Sequence, residues 1–281
     1  MPGSIAVVTD STAYLPSGRA ADRGIRVVPV HVVLGGVEHS EGVDVTGDQV
    51  AEALRQWVPV TTSRPSPQAF LDVYLAEAEA GAEGILSIHL SADMSGTYEA
   101  ARLAAKESPI PVEVVDSRGI GMALGFAADT AARSSERGLP LEECAALAEA
   151  RARAASIYFY VDTLEYLRRG GRIGPAAKLL GSALAVKPLL HLVDGRITPL
   201  EKVRTTSKAI ARLEEIAVDR ATGQVADLAV HHLANEARAR VLAARLRERL
   251  PEAGEIVVGE VGAVVGAHVG PGMLAVVVAP R

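Results

Sequence analysis

Residues 84–117 read GILSIHLSADMSGTYEAARLAAKESPIPVEVVDS. GILSIHL is apolar, rich in branched side chains and of strand length. SADMSGT is a hydroxyl-dense loop, TYEAARLAAKE is built from good helix formers, and VEVVDS begins a second short apolar run. A strand, a helix and a second strand within about thirty residues form a βαβ unit, which demands a parallel sheet covered by helices.

The same alternation extends in both directions. Upstream, the strand-like runs IAVVTD (5–10) and IRVVPVHVVL (25–34) flank and precede helix-period segments at 47–57 and 66–81. In the latter, Leu71, Tyr74, Leu75 and Ala78 fall on one stripe, with Asp72, Glu77 and Glu79 off it. Downstream lie helical segments at 121–138 and 140–156. The composition then turns aromatic and basic in IYFYVDTLEYLRRGGRIG (157–174). Residues 187–204, KPLLHLVDGRITPLEKVR, read as two strands joined by the turn pair Asp194-Gly195. A helix (207–220), a strand (225–232), a helix (235–250) and two strands (255–262, 273–279) follow. The expected organisation is an N-terminal α/β domain at 1–156, with a mostly parallel sheet flanked by helices. An α+β domain with a mixed sheet is expected at 157–281.

Bulk properties exclude several function classes. The formal net charge is −5 and no long basic run occurs, which argues against nucleic-acid binding. No apolar stretch reaches the roughly 18 residues of a membrane span, and no charged segment followed by an apolar core opens the chain. The single cysteine, Cys144, cannot form an internal disulfide and is expected to be a small buried hydrophobe. A cytoplasmic protein is expected.

Ligands of parallel sheets bind beyond the carboxyl ends of the strands. There the sequence places Thr9-Asp10-Ser11-Thr12, Ser91 to Thr97, and Asp116-Ser117, with Thr61 to Ser66 before the next helix. Ser95-Gly96-Thr97 and Ser66-Pro67 each open a helix, whose free amides attract carboxylate or phosphate oxygens. No GxxxxGK[ST], GxGxxG or GxSxG pattern is present at the required places, so no nucleotide cradle or serine elbow is expected. The adjacent His231 and His232 face opposite sides of a strand and cannot jointly hold a metal. No cofactor and no metal is expected. Arg172 follows Gly170-Gly171, and His268 sits among Gly266, Gly270 and Gly272 in VGAHVGPGMLAVVV (265–278). By pattern alone, Arg172 is either a surface ion-pair partner or an anion clamp, and His268 either a turn residue or a ligand contact.

Seven segments, in order, resemble the DegV family: VTDSTAYLP, TTSRPSP, SADMSGTYEAA, VVDSRGIGMALG, DTLEYLRRGGRIG, VKPLLHLVDGRITPLEKVRTTSKA and GAHVGPGMLAVVV. The resemblance implies a lipid-binding subunit of a bacterial fatty acid kinase, serving phospholipid metabolism. In that family a long-chain fatty acid lies between the two domains with its tail buried. Its carboxylate is held by the residues matching Thr62 and Ser95, with Gly96, Arg172 and His268 at the same head-group site. The subunit is not itself the enzyme. It presents the carboxylate to a separate ATP-binding kinase subunit, which makes an acyl phosphate, and Arg204 matches an arginine of partner docking. This chain departs from the family in carrying Arg64 where glutamine is common, and Asp93 in the serine-rich loop. The small residues of LLGSALAVKPLL (179–190) and GMALGFAAD (121–129) would leave room for a tail or simply pack as helices. The competing reading is a stand-alone phosphotransferase or hydrolase acting on a small carboxylate through His268. A third is a scaffold with no small ligand.

Overall fold

The computed structural model describes residues 4–179 and 187–281. In chain order the strands are β1 (Ile5–Asp10), β2 (Ile25–Val28), β3 (His31–Leu34), β4 (Val37–Ser40), β5 (Val60–Ser63), β6 (Gly84–His89), β7 (Val112–Asp116), β8 (Ser156–Tyr160), β9 (Lys187–Val193), β10 (Arg196–Val203), β11 (Ala226–His232), β12 (Ile256–Glu260) and β13 (Leu274–Pro280). The α-helices are α1 (Arg19–Asp22), α2 (Gly47–Arg55), α3 (Pro67–Glu79), α4 (Thr97–Ala105), α5 (Met122–Glu136), α6 (Leu141–Ala154), α7 (Glu165–Arg169), α8 (Thr206–Ala221), α9 (Glu236–Arg249) and α10 (Ala263–Val269).

Two compact units emerge. The first comprises 1–31 and 63–154, and the second 32–62 and 155–281. Residues 32–62 therefore group with the C-terminal part, so the units are not the two continuous ranges that the composition change near 157 implies. The cause is Pro29. The apolar run IRVVPVHVVL is two strands, β2 and β3, that enter different sheets. Proline has no N–H to give a ladder, and the chain changes sheet there.

The first unit is an α/β layer structure on a four-stranded sheet in the order β2-β1-β6-β7, with every pair parallel. Successive residues supply opposite faces. Val7 and Leu86 join Leu124, Ala127, Ala128 and Ala148 of α5 and α6, while Val8 and Ile85 join Phe70, Tyr74, Ala100 and Ala101 of α3 and α4. Burial on both faces explains why these strands read as continuous apolar runs. In α3 the buried residues are Phe70 and Tyr74 and Leu75 is exposed, so the apolar stripe lies one residue to the side of the sequence reading. Cys144 is buried as expected.

The second unit holds a mixed six-stranded sheet, β10-β9-β8-β13-β11-β12, antiparallel throughout except for the β11–β12 pair. The β9–β10 hairpin turns at Asp194 and Gly195, both at positive φ (48° and 79°), as a two-residue hairpin requires. Helices α8 and α9 cover the sheet through Leu213, Ala217, Leu242 and Leu246. The unit also holds the small sheet β4-β3-β5.

Candidate functional site

The second unit brings three of the expected residues together. β5 carries Thr62, so the TTSRPS stretch begins within a strand. His268 lies in the last turn of α10, not in the glycine turn itself. The turn follows it, with Gly270 and Gly272 at φ 73° and 91°. Thr62 Oγ1 and His268 Nε2 are 2.9 Å apart. The ring is held from the other side by Gly170, the C-cap of α7. A β-carbon at Gly170 would overlap His268 Nδ1, so only glycine admits the imidazole. Gly171, at φ 70°, then reverses the chain. Arg172 is exposed, and its Nη1 donates to the Gly170 carbonyl oxygen at 2.7 Å. Thr62, Gly170, Arg172 and His268 thus form one cluster.

Its electrostatics follow from burial. Loss of hydration pushes the His268 ring down from 6.5 to about 4, and the nearby Arg172 cation adds to this. Its Nδ1 is buried, with no hydrogen-bond partner among the described residues. The imidazole is therefore neutral at pH 7. A hydroxyl at 2.9 Å is within reach of a base, but among the described residues no third group orients the ring as nucleophilic catalysis requires. The arrangement suits holding and orienting a hydroxyl.

A pH prediction follows. His268 and the fully buried His231 both stand at about 4 in the fold, burial being the main cause in each, against 6.5 when unfolded. Folded values below the unfolded value mean that the neutral rings stabilise the fold above pH 6.5, and that this stabilisation is lost as pH falls toward 4. Urea midpoints measured from pH 7 to 4 should fall, with a shallower slope in His268→Gln. A slope unchanged by that substitution would contradict the assignment.

Ser95 and Gly96 belong to the first unit. Gly96, rather than Ser95, is the N-cap of α4 and makes no side-chain cap bond. Ser95 Oγ instead accepts the Thr97 N–H at 3.3 Å and lies 2.9 Å from Thr97 Oγ1. The Arg64 side chain lies across Gly96, where a β-carbon would overlap its Nη1. Arg64 is thus placed at the Ser-Gly-Thr turn, and no ion pair between it and Asp93 occurs among the described residues. Nothing in residue spacing announces this approach. Ser66 caps α3, with Pro67 at its first position.

The remaining sequence candidates separate from these clusters. Arg204 is exposed between β10 and Thr205, the N-cap of α8. Met122 to Asp129 of GMALGFAAD are buried in α5, behind its N-cap Gly121. Residues 180–186 of LLGSALAVKPLL lie outside the described residues. Among the described residues, no group of three or more His, Cys, Asp or Glu is placed to hold a metal ion, and no helix is long and apolar enough to cross a membrane.

Fold and cluster together define a protein of α/β and mixed-sheet units, with a neutral histidine backing a threonine hydroxyl. The family model described as uncharacterised protein, DegV family, matches residues 4–281. The chain belongs to the DegV family. It is 58% identical over 281 residues to a DegV domain-containing protein of Streptomyces coelicolor, covering all of both chains. Two solved structures are similar over 99% of this chain and 100% of theirs. One is a DegV family protein from Thermus thermophilus, described for its fatty acid binding, with a TM-score of 0.93 and 34% identity. The other is DegV from Bacillus subtilis, described as a fatty acid binding protein, with a TM-score of 0.91 and 33% identity.

Proposed function

We propose that this chain binds a long-chain fatty acid, tail buried and carboxylate held by hydroxyls, and presents it to a separate ATP-binding kinase subunit that forms the acyl phosphate. The Thr62–His268 pair at 2.9 Å is the observation that carries the reading. With its Nε2 protonated, the neutral imidazole donates to Thr62 Oγ1, which leaves the threonine proton to be donated to a carboxylate oxygen. The orphan Nδ1 against Gly170 agrees with that tautomer, since among the described residues no acceptor is offered to a proton there. Arg172 supplies the nearby positive charge. Ser95, with Gly96 beside it, supplies a second hydroxyl, and Arg204 serves partner docking. A hydroxyl clasp leaves the carboxylate incompletely neutralised, and so able to attack a phosphoryl group. The kinase chemistry belongs to the partner.

Two relatives of about one-third identity, described as binding fatty acids, support the same ligand class. Burial of a sixteen-carbon tail at about 0.8 kcal/mol per methylene gives on the order of 10 kcal/mol before association costs. Organic extraction of the purified chain and mass spectrometry should release long-chain fatty acids in near-stoichiometric amount. An empty chain that also rejects added palmitate and oleate would overturn the reading.

A further inference from the structure

The parallel pair β11–β12 ends on His232 and Glu260, which are register partners, and α9 connects the two strands. A cleft of about 320 Å³ opens at these carboxyl ends, lined among others by Asp48, His232, Asn235, Glu236, Arg240 and Glu260. Crevices of this kind are where α/β sheets take ligands, and the volume lies at the lower end for small-molecule sites. None of these residues takes part in the Thr62–His268 cluster.

Three carboxylates face one guanidinium, and they are not equivalent. Glu236 is bridged by Arg240, whose Nε lies 2.9 Å from Glu236 Oε1. Glu260 Oε1 accepts the Ala234 N–H at 3.0 Å. Asp48, exposed in the first turn of α2, has no ion partner among the described residues. The Asn235 amide is already spent on the Gly272 carbonyl and the Tyr160 hydroxyl. His232 is 6% exposed, and its Nδ1 has no hydrogen-bond partner among the described residues; Glu260 Oε1 is 3.7 Å away. Glu260, Glu236 and Asp48 all act on this ring electrostatically, yet burial dominates and keeps it below its ordinary pKa. A buried, neutral imidazole nitrogen without a partner, surrounded by carboxylates of which two lack a cation, is a set of acceptors awaiting donors.

We propose that this cleft binds a small organic cation, its ammonium group donating to Asp48, Glu260 and His232 Nδ1. An ammonium carries three N–H donors, which matches three acceptors.

The test uses the full chain and two probes of equal shape, benzylammonium and benzyl alcohol, followed by NMR at the histidine Cε1–H resonances. Benzylammonium should shift the His232 resonance saturably below about 10 mM, whereas benzyl alcohol should not. Asp48→Asn and Glu260→Gln should each weaken that binding roughly tenfold or more. Glu260→Gln keeps an oxygen for the Ala234 amide, and Asp48 is exposed, so neither change should unfold the chain; thermal melting checks this. Absence of saturable shifts, equal binding of the alcohol, or full affinity in both folded variants would each overturn the proposal.

Discussion

Replacing Asp10 with alanine will lower the unfolding free energy of the first unit by about 3–5 kcal/mol, as expected when one partner of a buried charged network is removed. Asp10 ends β1 and is fully buried. Its Oδ1 accepts the Thr12 N–H at 3.0 Å and the Thr12 hydroxyl at 2.5 Å. Its Oδ2 accepts the Leu90 N–H at 3.0 Å and faces His89 Nδ1 at 3.1 Å. The His89 ring continues through Nε2 to Ser87 Oγ at 2.7 Å, and Tyr74 donates its hydroxyl to the same Ser87 oxygen at 2.8 Å. Burial pushes the Tyr74 phenol up to about 12, so it stays a donor throughout. One carboxylate thus answers four donors and ties the end of β1 to β6 and its following residue. Alanine leaves those donors without a partner in a site that excludes water, and an unmet buried donor costs more than the bond itself contributes. Asp10→Asn keeps the shape but turns an N–H₂ toward donors, and should fall between alanine and the parent. Urea unfolding with an unchanged denaturant slope is the measurement. A loss under about 1 kcal/mol for Asp10→Ala would show that the donors find other partners.

The sequence displayed the strand half of this network but not its use. TDST after an apolar run marks a strand end, and His89 in an apolar strand reads as a satisfied core residue, which it is. That the two meet is a matter of which strands neighbour, and β1 lies next to β6 across 79 residues of chain. The βαβ alternation and the Asp194-Gly195 hairpin were legible because local chemistry decides them. α10 was not. AVVGAHV contains three valines and a glycine, poor helix formers all. It is helical because it packs on α2, where Gly266 lets Leu233 and Val50 approach. The same long-range contact accounts for the inserted segment 32–62, whose α2 is drawn to the second unit by a helix more than 200 residues later. Of the candidate site, Thr62, Arg172 and His268 were legible through family resemblance. Their supports were not. The room that Gly170 makes for the imidazole and the Arg64–Gly96 approach are close contacts between distant or irregular segments, with no periodicity to betray them.

Thr62→Val should weaken fatty acid binding about 10- to 100-fold, the range for losing a hydrogen bond to a charged group. Valine matches threonine in shape and in preference for a strand, so β5 should persist and only the hydroxyl is lost. Thr62→Ser keeps the hydroxyl and should bind within roughly threefold of the parent. His268→Ala removes the donor behind Thr62 Oγ1, and should weaken binding by a similar factor if the histidine acts through that hydroxyl. The two losses should then not add: the double variant should bind like either single one, the signature of residues in contact. Gly170→Ala gives an independent route to the same result. Gly170 has φ −73°, which alanine adopts without strain, so any effect comes from the β-carbon displacing His268. Calorimetric titration with palmitate, at a pH above 6.5 where the ring is neutral, reads the parent and all five variants. Parent-like affinity in Thr62→Val, with the parent itself binding palmitate, would remove Thr62 from the head-group site. Additive losses in the double variant would instead give His268 its own contact with the carboxylate.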